Sequence, residues 1–206
     1  MKTFRALAAT IVLAASATTA DAQATLINTR SGIAGYTLNW IDIYGYVPTV
    51  VSGGARATLM EGVSVTINAA DPAEIQNQEE TSGIHSWYGN FNQDDPVLYS
   101  HTGPIEFVFS EDIFAFGANV QPSNFGSFLG YITGYDANDN EIGSFSKMGL
   151  SNDHNDGSAI FLGIGSDLGF RRIVMNTNGY GIAVNQAKFG EMVYEDVPPQ
   201  NLIIPV

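Results

Sequence analysis

Short runs of alternating apolar and polar residues, broken by clusters of Gly, Asn, Asp and Ser, organise most of this chain. From Gly62 to Ile67 the alternation is clean and predicts that Val63, Val65 and Ile67 share one buried face. Ile105 to Phe109 repeats the pattern directly after Pro104. The run from Phe128 to Tyr135, with Tyr131, Ile132 and Tyr135, stops at Asp136-Ala137-Asn138-Asp139-Asn140. Asn and Asp tolerate left-handed backbone angles, so this cluster predicts a hairpin returning over Glu141 to Phe145. Ser158 to Ile164 is apolar on both faces and predicts a central strand covered on each side. Arg171 to Met175 and Tyr180 to Phe189 complete the series, the latter with Ile182 and Val184 on one face. No segment past the first 22 residues keeps a helical period. Asp71 to Gly83 is acidic and aperiodic, which predicts a long loop or a short helical excursion. The count of about eight to ten strands points to an all-β fold, a two-sheet antiparallel β-sandwich of jelly-roll type.

The two ends follow other rules. Lys2 and Arg5 precede an alanine-rich apolar stretch around Ile11, Val12 and Leu13, and Ala20-Asp21-Ala22 fits a small-x-small cleavage site. Residues 1–22 therefore read as a signal peptide and 23–194 as the sandwich domain. The apolar stretch is too short and too rich in alanine for a transmembrane anchor. After Tyr194, the sequence Glu195-Asp196-Val197-Pro198-Pro199 cannot continue a strand, because consecutive prolines remove the ladder donors. Residues 195–206 read as an irregular, proline-containing tail.

Charge narrows the partners. The chain has 8 basic and 21 acidic residues, a formal net charge of −13. Nucleic acid binding needs clustered Lys and Arg, so this balance argues against it, and against anionic membrane surfaces. Calcium and neutral glycans remain compatible. The sequence has no cysteine, which removes disulfides, thiol chemistry and Cys-based zinc sites. It also has no Asn-x-Ser/Thr acceptor, which with the leader suggests an exported bacterial protein.

Candidate chemistry is sparse. Asp136-x-Asn138-x-Asn140 fills the first three ligand positions of an EF-type calcium loop, but Glu141 stands where glycine is needed and Lys147 where a bidentate Glu is needed. A polar hairpin turn is the stronger reading. Asp153-His154-Asn155-Asp156-Gly157 is a second acidic loop, and Asx-rich turns of this kind often satisfy only their own backbone. If both loops lay at one end of the sandwich, Asp136, Asn138, Asp153 and Asp156 could hold a calcium ion together. Trp40 sits beside Ile41 and Ile43 and reads as core. Trp87 and Tyr88 lie among Gly83, His85, Gly89 and Asn90, a loop-edge setting. That setting makes Trp87, Tyr88 and Asn90 the candidate sugar-binding residues. His85, His101 and His154 show no zinc spacing. No Gly-x-Ser-x-Gly elbow is present, and Gly163-x-Gly165 lacks the helix that a dinucleotide site requires.

Trp87-Tyr88-Gly89-Asn90-Phe91 and Asp94-Asp95-Pro96-Val97-Leu98 together resemble a W-x-G-N-F-x-x-x-D-x-L-L segment. That segment belongs to bacterial PEP-CTERM-associated exported proteins. The resemblance continues through Gly103-Pro104-Ile105, Phe116-Gly117-Ala118-Asn119-Val120-Gln121, Tyr135 to Asn138, Asp156 to Gly163 and Tyr180 to Phe189. It covers roughly residues 84–190. It implies an extracellular β-sandwich of a Gram-negative bacterium that makes exopolysaccharide. The family's sorting tail is not matched: Val197-Pro198-Pro199 stands where Pro-Glu-Pro would begin, with no apolar helix or basic end after it.

These readings lead to an expected function. The protein is expected to be a non-catalytic surface or matrix component, contacting extracellular polysaccharide. A structural, self-associating envelope protein is the second reading. A secreted hydrolase or lyase using carboxylates among Glu79, Glu80, Asp94 and Asp95 is the third, since a glycosidase needs two carboxylates at a set separation.

Overall fold

The computed structural model describes residues 24–45, 49–51, 54–59, 62–69, 73–77, 90–91, 96–152, 154 and 156–193. Their strands are β1 (Thr25–Ile27), β2 (Ile33–Leu38), β3 (Thr49–Val51), β4 (Ala55–Thr58), β5 (Ser64–Ala69), β6 (Ala73–Asn77) and β7 (Pro96–Ser100). The series continues with β8 (Ile105–Gln121), β9 (Gly126–Tyr135), β10 (Glu141–Ser151), β11 (Ile160–Thr177), β12 (Ile182–Val184) and β13 (Ala187–Met192). One short helix, α1 (Trp40–Tyr44), is capped by the Asn39 side chain accepting from the Ile41 N–H at 3.1 Å.

Two long strands run through both layers. The first half of β8 and the second half of β11 pair with each other through Ile105↔Met175 to Val108↔Arg172. With β9 and β10 on one side, and β5 and β4 on the other, they make a front sheet in the order β10-β9-β11-β8-β5-β4. The second half of β8 and the first half of β11 pair through Ala115↔Gly165 to Val120↔Ile160 and form the middle of a back sheet. There β1 lines β11, while β13 with β2, and β12 with β7, β6 and β3, follow one another along β8. Every pairing is antiparallel. This is the sandwich-like all-β fold expected.

The register of β8 against β11 breaks between Gly165 and Phe170, which is where the chain turns from one sheet to the other. Gly169 takes φ +78° at this corner, and a Cβ there would stand 2.8 Å from Asp112 Cβ. Arg171 ties the corner down, with Nε 2.6 Å from Asp112 Oδ1 and Nη1 donating to the Ser110 carbonyl.

The core lies between the sheets. Phe107 from the front half of β8 meets Phe116 from its back half with ring centroids 4.8 Å apart, and Trp40 stacks on Phe107 at 6.1 Å. All three are fully buried, each contributing ~2–3 kcal/mol of apolar burial. Trp40 is thus core as expected, and its indole N–H is satisfied by the Val184 carbonyl at 2.9 Å. Gly134 on β9 lets the strand lie against the Phe170 ring, 2.4 Å from where a Cβ would stand.

Three sequence expectations change. Asp71 to Gly83 is not wholly loop or helix: Ala73–Asn77 is strand β6, between β3 and β7, with Ala73 and Ile75 buried. Its short alternation was hidden inside an acidic, Gln-containing stretch. The runs at 105–109 and 116–121 are one bent strand, as are those at 160–164 and 171–175, Ser158 and Ala159 lying just before it. The fully buried Val65 and Ile67 share the inner face, whereas Val63 is only half-buried, just before β5 begins. The leader at 1–22 and the tail at 195–206 lie outside the described residues.

Candidate functional site

The outer face of the front sheet is built by the two-residue period of its strands. On β9 the inward Phe128, Gly130, Ile132 and Gly134 are buried, which turns Leu129, Tyr131, Thr133 and Tyr135 outward. The register places Tyr131 between Ser146 of β10 and Asn176 of β11, and Thr133 between Ser144 and Val174. Thr133 and Ser144 share a hydrogen bond of 2.9 Å. Further across, Arg172 and Val174 lead to Val108 and Glu106 of β8, then to Thr66 and Asn68 of β5. Six strands give a face roughly 25 Å wide. The helix α1 packs near β6 and β7 and does not cover this face.

An ion-pair group anchors one side of it. Arg172 donates to Glu106 Oε1 at 3.1 Å and to Asp139 Oδ1 at 2.9 Å, and its guanidinium carbon sits 3.7 Å from the Tyr135 ring centroid. Asn68 Nδ2 donates to the other Glu106 oxygen at 2.9 Å. Partial burial works to lower the Arg172 pKa, but Asp139 and Glu106 outweigh it and hold the group above its ordinary value. A shallow depression of about 390 Å³ lies here, lined by Asn68, Pro104, Glu106, Tyr135, Arg172 and Val174. Every carboxylate oxygen of Glu106 is engaged, so the depression offers hydrogen-bonding edges and an aromatic ring rather than a free acid or base.

The two acidic loops are each closed on themselves. Asp136 Oδ1 accepts from the N–H groups of Asn138 at 2.7 Å and Asn140 at 2.9 Å, while Oδ2 accepts from Asn140 Nδ2 at 2.9 Å. These bonds, Asn140 foremost, hold the Asp136 carboxyl below its ordinary pKa. In the other loop Asn152 Nδ2 donates to Asp156 Oδ2 at 2.9 Å, and the Ser158 N–H to Oδ1 at 3.0 Å. Asn152 is the leading cause of the lowered Asp156 pKa.

A shared calcium site for both loops is corrected by the register. Tyr135 pairs with Glu141 at one end of the hairpin and Gly126 with Ser151 at the other. Asp136 and Asn138 therefore stand roughly 30 Å from Asp156, the length of β10. Asp153 lies outside the described residues. Among those residues, no group of three or more His, Asp or Glu side chains is placed to hold a metal.

The expected sugar-binding residues separate too. Trp87 and Tyr88 lie outside the described residues, as do Glu79, Glu80, Asp94, Asp95 and His85. Asn90 is 1 % exposed, so a glycan in solvent cannot reach it; it belongs to the interior. His101 is instead near Glu74, at 3.4 Å. Tyr131, Asn176 and Arg172 were not singled out as site residues. The signal for Tyr131 and Tyr135 was their odd-numbered alternation against buried Ile132. Asn176 and Arg172 needed the pairing register, which no local pattern reveals.

No family model matches this sequence, and no curated protein is significantly similar to it. Among solved structures, the chain is similar to a DUF4465 family protein from Bacteroides caccae. The TM-score is 0.41 and the identity 9 %, over 70 % of this chain and 100 % of that one. It is also similar to the enzymatically active domain of tailspike protein 4 of bacteriophage CBA120. There the TM-score is 0.33 and the identity 14 %, over 71 % of this chain but only 22 % of that one. Among the described residues, no helix is long and apolar enough to cross a membrane.

Proposed function

We propose that this is an exported, non-catalytic β-sandwich of the bacterial cell surface or matrix that binds neutral extracellular polysaccharide along the outer face of its front sheet. The observation that supports this reading is the uncovered row of Tyr131, Ser146 and Asn176 beside Tyr135 and Arg172. An aromatic ring flanked by hydroxyl and amide groups suits a sugar, which presents an apolar ring face and a rim of hydroxyls. The acidic balance of the chain favours a neutral glycan over an anionic one. The export signal and the resemblance of residues 84–190 support the location outside the cell.

Affinity electrophoresis against a panel of neutral and acidic polysaccharides, with and without calcium, tests the reading. Retardation by a neutral glycan, weakened about tenfold or more by Tyr131→Ala with the melting temperature retained, is expected. Migration unchanged by every polysaccharide in the panel would sink it. Release of reducing ends from any bound glycan would transfer the protein to the hydrolase reading.

Self-association is favoured by one separate observation. Strand β10 is the edge of the front sheet and exposes Met148 (72 %) and Leu150 (55 %). Lys147 opposes it: the side chain points inward and its Nζ donates to the Phe161 carbonyl at 3.1 Å, a charge that a second strand would have to dehydrate. Sedimentation at rising concentration separates the two, with a monomer expected for the glycan-binding reading.

A further inference from the structure

The sandwich has an open side where one edge of each sheet comes near the other. Among the described residues β4 pairs only with β5, which ends the front sheet, and β2 pairs only with β13, which ends that part of the back sheet. A cleft of about 310 Å³ lies between these two edges, with α1 as its third wall. Leu38 and Ala57 are buried and, with Ile43 and Leu59, give the cleft an apolar floor. Two charged side chains also line it, Asp42 from α1 and Arg56 from β4.

These two charges face one space without neutralising each other. No ion pair joins them, and among the described residues no hydrogen bond or ion pair engages the Asp42 carboxylate. Arg56 is aimed by Ser64: its Nε and Nη2 donate to the Ser64 Oγ at 3.1 and 2.8 Å. Ser64 is itself buried, and its N–H donates to the Ser110 hydroxyl at 2.9 Å. Those bonds use one edge of the guanidinium. Nη1 and the second Nη2 hydrogen remain, the fork that takes a carboxylate through two parallel bonds. An unpaired Asp in the first turn of a helix is ordinary on an open surface, where the helix dipole favours it. Here the carboxylate shares a concave, apolar-floored space with an oriented cation.

One acidic and one basic group, unpaired with each other above an apolar floor, match a small zwitterion with an aliphatic side chain. We propose that the cleft binds a free aliphatic α-amino acid. Its ammonium meets Asp42, its carboxylate meets the open fork of Arg56, and its side chain lies on Leu38, Ile43, Ala57 and Leu59. Ligand pockets run from roughly 300 Å³ upwards, so this cleft is of a size for one small molecule and not for an oligosaccharide. No aromatic side chain lines it, and a sugar ring therefore has no stacking platform there. The site is separate from the row at Tyr131 and does not depend on glycan binding.

Titration of the isotope-labelled protein with L-leucine, followed through backbone amide shifts, tests the proposal. Millimolar leucine is expected to move the amides of residues 37–43 and 56–59 together and saturably. N-acetyl-leucine lacks the ammonium and leucinamide lacks the carboxylate, so each is expected to bind at least about five times more weakly. Asp42→Asn removes a charge that holds no other described residue, so this variant is expected to fold. In it leucine and N-acetyl-leucine should bind equally, because the partner of the ammonium is gone. Arg56→Gln should erase the difference between leucine and leucinamide in the same way. Arg56→Gln also strands the Ser64 hydroxyl, and the three ligands compared on the wild-type protein decide the matter without it. No saturable shift in the cleft with millimolar leucine overturns the proposal, as does equal binding of all three ligands. Shifts confined to the outer face of the front sheet overturn it too.

Discussion

Two Asx-rich segments flank strand β10, alike in composition and unlike in what lies beneath them. The segment Asp136–Asn140 is an exposed turn whose side chains satisfy its own backbone, with Asp139 at φ +63° and bonded outward to Arg172. The segment Asn152–Ser158 closes in a similar way through Asp156 and Ser158. Its first residue, however, offers its carbonyl to the buried side-chain amides of Asn90 and Gln121. Similar local chemistry therefore serves a hairpin reversal at one end and roofs an interior polar cluster at the other. A loop's composition tells which bonds it can make to itself, and the ground under it tells what else it must satisfy.

The comparison breaks most readily at the buried end. Gln121→Ala removes the donor to Ser151 and leaves the Asn152 region underpaired, so unfolding free energy from urea titration is expected to fall by about 1–3 kcal/mol. Asp136→Ala at the exposed end takes away the cap of a two-strand turn that water can partly replace. Its melting temperature should fall by less than that of Gln121→Ala; an equal or larger fall would mean that the two ends do not differ as described.

Acid gives the smallest effect and treats both ends alike. Asp136 and Asp156 have folded pKa values held below the ordinary 3.8. Each group therefore contributes stability that is fully present well above pH 3.8. That contribution is lost as the pH falls from about 3.8 through the lowered folded value. Melts between pH 5 and pH 2 should show a weaker acid dependence in Asp136→Asn and in Asp156→Asn than in the parent. A mutant that keeps the parent's full dependence would remove that carboxylate from the account.

How much of this was legible beforehand can be argued from single positions. The hairpin at 136–140 was readable because its Asn and Asp cluster sits between two alternating runs, and its chemistry is local. The double burial of 161–164 was readable because apolar side chains on both faces leave a strand no solvent side. Strand β6 was not, since a five-residue alternation around Ile75 is too short to stand out from the acids beside it. The glycine- and asparagine-rich neighbours of Asn90 predict a loop-edge ligand residue. Its burial comes from contacts with Asn152 and Ala159, more than sixty residues away.

By itself the sequence determined the all-β class, the hairpin, the core role of Trp40 and the acidic, cysteine-free character that bounds the partners. These follow from side-chain period, turn chemistry and charge, which act over a few residues or over the whole composition. Only the tertiary structure decided that β8 and β11 each bend through both sheets, that Tyr131, Asn176 and Arg172 share one open face, and that Asn90 and Gln121 converge on Asn152. Those outcomes depend on strand register and on packing between distant segments, and a one-residue slip of register would turn each of these side chains to the other face.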